Sequence, residues 1–253
     1  LSELSFSGYV LFIISLIILY TVQRLLHREI QAILLILTKE ASLTIGIYSF
    51  LLFPGVFIHE FSHLIMAFIL RVPIKKFSLI PKTLENGQLQ MGYVQTRQTN
   101  FFKDALIGLA PFIVGLVLTA QISLNKLHFN NLIDGLISTN ASTIFKEMST
   151  ITQQNDFGVW FYLAFAISST MLPSASDRQS WGQIGIIFFI ILTILVVVGI
   201  GPWVLTNIIP RVNHWFSSIA IVIVSSDIVH ILILFPVFIL RKIVSRLLRI
   251  SVI

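Results

Sequence analysis

The chain has no cysteine. Disulfides and thiolate metal ligands are thereby excluded, and any metal site must be built from histidine and carboxylate. Charge is almost as scarce. Only 11% of the 253 residues are charged, against about 25% in soluble domains, too few to cover a water-facing surface. No Lys/Arg tract with interleaved aromatics occurs, so the net charge of +6 does not indicate nucleic acid as a partner. The basic residues instead cluster at the ends of apolar runs, as membrane-flanking charges do. There is no internal repeat and no water-soluble domain. The first apolar run is too long for the core of a cleavable signal peptide.

Apolar residues fill the space these absences leave. They make up 56% of the chain, and the mean hydropathy is +0.92. A lipid bilayer is the solvent that suits this composition. The expected fold is an all-α polytopic membrane protein forming a single domain, 1–253. Six candidate spans are read at 8–22, 43–70, 105–121, 157–172, 183–205 and 217–240. A span needs ~20 apolar residues. The third candidate is interrupted by Gly108, Pro111 and Gly115. Such interruptions are tolerated where a segment is buried in protein or lines a cavity. The stretch 30–38 is too short to span, and reads as an interfacial helix or the start of a long bent second segment. Pro202 and Pro236 look like kink sites.

Two stretches differ in kind. Residues 77–98 carry β-prone runs around Glu85-Asn86-Gly87, and Asn-Gly between such runs predicts a β-hairpin. Residues 125–156 are polar and read as a long loop, with room for a short surface helix. With six passes and a cytoplasmic N-terminus, inside loops hold 11 Lys/Arg and outside loops 6. That bias predicts both termini to be cytoplasmic.

The chemistry lies in the second segment, in Phe57-Ile58-His59-Glu60-Phe61-Ser62-His63-Leu64. Residues i and i+4 share a helix face, so His59 and His63 can hold one zinc ion. Glu60 lies ~100° around the helix, flanking the metal, where it can act as a base toward water. With 6 His and 6 Glu in the chain, His-Glu-x-x-His arises by chance roughly 0.003 times. Each charged group at mid-bilayer costs ~2.5–3.5 kcal/mol, so ionisable residues there are functional by default.

Zinc needs a third protein ligand and one open position. Asp177 is the candidate, in a loop opened by Pro173 and, on the six-pass reading, on the same side as the motif. A solvated aspartate beside Arg178 is the bland alternative. Glu147 is the candidate for a rival zinc-protease class with a downstream glutamate ligand, but it falls on the opposite side. Asp227 and His230, at i and i+3, read as an interhelical hydrogen-bond network rather than a second metal pair. His27, His128 and His214 read as surface residues.

These residues resemble the site-2 protease family of intramembrane zinc metalloproteases. The resemblance covers about 43–184. It rests on the order His59-Glu60-Phe61-Ser62-His63, the Asn86-Gly87 hairpin, Gly108-Leu109-Ala110-Pro111 through Gly115, then Pro173 to Asp177. Departures from the family pattern are Thr170 where Asn is usual, a Pro173–Asp177 spacing one residue short, Arg178 in place of Gly, and Pro111-Phe112 near the third segment. The resemblance implies one zinc ion held by His59, His63 and Asp177, with Glu60 as the catalytic base. It implies a transmembrane segment of another protein as substrate, unwound locally and added to the hairpin as a strand. The reading from another class is a metal-binding membrane protein or transporter without hydrolysis.

Overall fold

The structure is a computed structural model. It describes residues 7–83, 89–97 and 99–248. Ten α-helices dominate the described residues. Three are long and apolar enough to cross a membrane, Ser7–Thr38, the run Phe101–Lys126, and Ile209–Leu248. Counting each of two bent helix pairs as one span raises the number to five. The chain is thus a helical, multi-pass membrane protein in type.

Helix α1 (Ser7–Thr38) runs well past the expected 8–22. The stretch 30–38 is its last turns, not a separate element, because no Gly or Pro interrupts the run until Lys39 takes a left-handed φ of 55°. The second segment is bent. Helices α2 (Ala41–Leu51) and α3 (Phe53–Ile69) meet at 71°. Pro54, in the first turn of α3, has no N–H to continue the ladder of α2. At its other end α3 closes with two bonds, Val72 N–H to the Ala67 carbonyl (2.8 Å) and Arg71 N–H to the Phe68 carbonyl (3.0 Å). Arg71 is left-handed there, at φ 54°, and Pro73 follows, so the helix cannot continue.

The expected hairpin takes the form of two short antiparallel ladders. Strand β1 (Ile74–Ser78) pairs with β4 (Tyr93–Thr96), and β2 (Lys82–Thr83) with β3 (Leu89–Gln90). The predicted turn Glu85-Asn86-Gly87 lies outside the described residues. Helix α4 (Phe101–Ala120) starts at an Asn100 cap that accepts from Lys103 N–H, and runs into a π-helical turn, Gln121–Lys126. The polar stretch 125–156, expected as a loop, is mostly helical. Helices α5 (Phe129–Ile137) and α6 (Ala141–Thr152) fold back on the bundle, burying Phe129, Leu132, Ile133 and Ile151. Helix α7 (Phe157–Thr170) is apolar but only 14 residues long. Helices α8 (Trp181–Val197) and α9 (Gly201–Asn207) meet at 112°, and neither buries a residue. Helix α10 (Ile209–Leu248) closes the chain.

Helix directions follow from paired contacts. Gly8 N–H donates to Asn213 Oδ1 (3.0 Å), Phe12 packs on Phe216, and Glu29 pairs with Arg241. Helices α1 and α10 therefore run parallel. Gln23 donates to the Ser168 carbonyl (3.2 Å) and to that of Ser169, while Leu19 packs with Met171, so α7 runs against α1. Tyr162 reaches the Leu51 carbonyl and His59 that of Thr170, so α3 runs with α7. Lys103 reaches the Leu70 carbonyl, so α4 runs against α3. The end of α3, the strands, the start of α4 and the loop after α7 all gather at one end of the bundle.

Candidate metal centre

His59 and His63 lie one turn apart on α3, and Asp177 in the loop between α7 and α8. Their ligand atoms all lie within 4.8 Å of one another. His63 Nε2 is 3.3 Å from His59 Nε2 and 3.3 Å from Asp177 Oδ1, and His59 Nε2 is 3.6 Å from Asp177 Oδ2. Zinc–ligand bonds of ~2.0–2.1 Å in a tetrahedron set ligand atoms about 3.3 Å apart. The spacing is that of three corners of such a site. Three residues predicted from the sequence are thus brought together, and they can hold a metal ion.

The tautomers fit as well. A ligating histidine keeps its other ring N–H on a carbonyl or carboxylate. His59 Nδ1 lies 2.6 Å from the Thr170 carbonyl, and His63 Nδ1 2.9 Å from the Ile107 carbonyl. With both Nδ1 atoms turned to carbonyls, both Nε2 atoms face Asp177, and each would offer its lone pair to a bound metal on losing its proton. Each carbonyl is available for a local reason. Ile107 precedes Pro111 by four residues, and proline has no N–H to bond it. Thr170 ends α7, and Ser174 N–H, four residues on, donates instead to Asp177 Oδ2 (2.8 Å). Pro173 likewise leaves the Ser169 carbonyl free, and Gln23 takes it.

Burial works against the Asp177 charge, but the rings of His59 and His63 and the Ser174 N–H outweigh it and hold the carboxyl below the usual carboxylate range. Arg178 does not pair with Asp177. Its Nε donates to the Ser174 carbonyl (3.3 Å), tightening the loop. Gly108 on α4 lets the loop approach, since a Cβ there would overlap the Asp177 carbonyl oxygen. Glu60 is buried, with 7% of its surface exposed, and is not a member of the ligand group. It is held under the bend between β3 and β4, where a Cβ on Gly92 would lie 2.8 Å from Glu60 Cγ.

A cavity of about 960 Å³ opens over these groups. His59, Glu60, His63 and Asp177 form its floor, β4 and the Met91-Gly92 bend one wall, and the 172–180 loop another.

Other predicted residues lie elsewhere. Glu147 accepts from Asn131 (3.3 Å) on the α5–α6 hairpin. Asp104 on α4 lines the same cavity without joining the ligand group. Asp227 and His230 do not bond each other. His230 reaches Ser169 Oγ on α7 (3.1 Å), an interhelical contact as expected. His128 and His214 are exposed. His27 is not a surface residue. Its Nδ1 bonds the Tyr48 hydroxyl and its Nε2 is buried, because α1 extends far past Val22 and carries it into the bundle. The carbonyls of Ile107 and Thr170 and the glycines 92 and 108 escaped sequence reading. Only Pro111 and Pro173 signalled that freed carbonyls would lie near. The chain matches no family model, no curated protein and no solved structure.

Proposed function

We propose that the chain is an intramembrane zinc metalloprotease of the site-2 type, cutting peptide bonds in or near transmembrane segments of other membrane proteins. The observation that carries this reading is the spacing of 3.3, 3.3 and 3.6 Å among the ligand atoms of His59, His63 and Asp177, with a buried carboxylate, Glu60, on the floor of the same cavity. Nitrogen and oxygen donors in a three-corner arrangement suit zinc with one position open.

A bound zinc ion supplies a Lewis acid that polarises a carbonyl and acidifies water. The chain's own residues do the rest. Thr170 and Ile107 fix the two imidazoles. Glu60 takes the proton of the attacking water and returns it to the leaving amine. The edge of β4 away from β1, unpaired among the described residues, accepts an extended segment through main-chain bonds.

The helix directions favour five passes in place of the six expected from the sequence, with the 14-residue α7 crossing and the bent α8–α9 pair not crossing. Helices α1, α2 with α3, α4, α7 and α10 alternate in direction, and α8 with α9 returns to the end it left. The start of α1 and the metal centre then share one face, read as cytoplasmic from the Lys/Arg cluster at 71–103, and the end of α10 lies on the other. On this reading the start of the first helix and the end of the last lie on opposite faces, where the Lys/Arg count predicts both termini to be cytoplasmic.

The test is metal analysis with a cleavage assay on the purified, reconstituted chain. Glu60→Gln should retain about one zinc per chain and lose cleavage of a transmembrane substrate. Full cleavage by that variant overturns the mechanism. Metal uptake across the vesicle wall without cleavage favours the transporter reading.

A further inference from the structure

The wall formed by β1 and β4 carries charge in a fixed register. Lys76 stands directly opposite Gln95, and Ser78 opposite Tyr93. Directly paired residues share a sheet face, so Tyr93, Gln95 and Lys76 lie on one side. All three line the metal cavity, as does Lys82. The Lys82 ammonium sits 4.3 Å from the centre of the Tyr93 ring. Lys82 therefore stands at position 93 of β4, and Lys76 on β1 is paired across from position 95, a step of ~6.8 Å along the strand. Neither is in an ion pair among the described residues. Of the other cations in this segment, Arg71, Lys75 and Arg97 do not line the cavity, and Lys103 is bound to the Leu70 carbonyl (2.9 Å). Charge that only orients the chain in the membrane has no reason to line the cavity. Among the described residues, Asp104 is the one carboxylate on the lining outside the metal floor, against the two lysines of the wall.

We infer that the substrate segment lying along β4 is acidic, with carboxylates at alternate positions of an extended stretch, and that Lys76 and Lys82 select it. This rests on the proteolysis reading and names its substrate class. Exposed ion pairs are individually weak, so selectivity of about three- to tenfold is expected from the two together, falling as salt rises.

The probe is a set of three peptides with the same apolar helix followed by an extended tail bearing Asp, Asn or Lys at alternate positions. Binding is measured to the full chain carrying Glu60→Gln in neutral phosphatidylcholine vesicles, and hydrolysis with the zinc-loaded wild type. The Asp peptide should bind about three- to tenfold more tightly than the Asn peptide, and the Lys peptide most weakly. Lys76→Glu with Lys82→Glu should invert that order while zinc content is unchanged. Lys75→Glu with Arg97→Glu alters net charge equally, and should leave the order alone. An unchanged order in the first pair, or an inverted order in the second, overturns the inference. Charge-ordered binding without hydrolysis of any peptide by the wild type would sink the proteolysis reading and leave the acidic selectivity standing.

Discussion

His63 Nδ1 lies 2.9 Å from the carbonyl oxygen of Ile107, and that oxygen is free because the residue four positions on is Pro111. An unbroken helix would spend the carbonyl on its own ladder. The proline thus does more than interrupt α4. It supplies the acceptor that fixes the tautomer and tilt of one imidazole of the candidate metal centre.

Replacing Pro111 with Ala restores an N–H that competes for the Ile107 carbonyl. Loss of such an outer partner typically costs 10–100-fold in metal affinity, so zinc affinity should fall about tenfold or more. Competition against a chromophoric chelator reads this directly. Unchanged affinity would show that the carbonyl does not orient the ring.

Much of the centre was legible in the sequence because a helix makes spacing equivalent to direction. His59 and His63 share a face by arithmetic alone, and Pro173 marked the break that carries Asp177. The carbonyl acceptors were not legible, since they depend on which helix packs against which. Span boundaries failed for a related reason. The end of α1 carries Arg24, Arg28 and Glu29 and reads as a polar boundary, yet Glu29 is buried and paired with Arg241 from the far end of the chain. A partner more than two hundred residues away leaves no local signal.

Gly108 tests the placement of Asp177. A Cβ at this position would overlap the Asp177 carbonyl oxygen, whereas one at Gly46 meets nothing within 4 Å. Gly108→Ala should therefore displace the 173–178 loop and lower bound zinc, while Gly46→Ala keeps it. Overpacking of this kind costs ~1–3 kcal/mol. Thermal melting with and without zinc separates loss of the ligand from general destabilisation, since only the former shrinks the zinc-induced gain. Equal zinc-induced gains in the two variants would remove Asp177 from the ligand set.

Gly92 tests Glu60 without touching a metal ligand. Its hypothetical Cβ falls 2.8 Å from Glu60 Cγ, so Gly92→Ala has to push the carboxylate off the position it holds over the cavity floor. The expected outcome is full zinc content with kcat reduced ~10²-fold, the scale of a misplaced general base. If kcat stays within twofold, the bend between β3 and β4 does not position the base.

The packing order makes the last prediction, on topology. Asn213 meets Gly8, so α10 starts where α1 starts, and α7 runs against both. The chain leaving α7 has only α8, the 112° bend and α9 in which to reach that starting end. A pass through the bilayer by α8 would deliver α10 to the wrong end of the bundle. The absence of cysteine makes this directly measurable, because any single cysteine is the only thiol. Asn207→Cys should label from the same side as Ile80→Cys, beside the metal centre, and Leu247→Cys from the side of Asn155→Cys. Six passes reverse both assignments. Five passes also carry Arg241, Lys242 and Arg246 to the face opposite the metal centre and Arg211 to the face of the metal centre, which removes the Lys/Arg bias that the six-pass count contained. Orientation then rests on the cationic segment between α3 and α4, and labelling of Ile80→Cys in sealed vesicles of known sidedness decides it. Asn207→Cys labelling with Asn155→Cys would restore the sixth pass and return the C-terminus to the face of the metal centre.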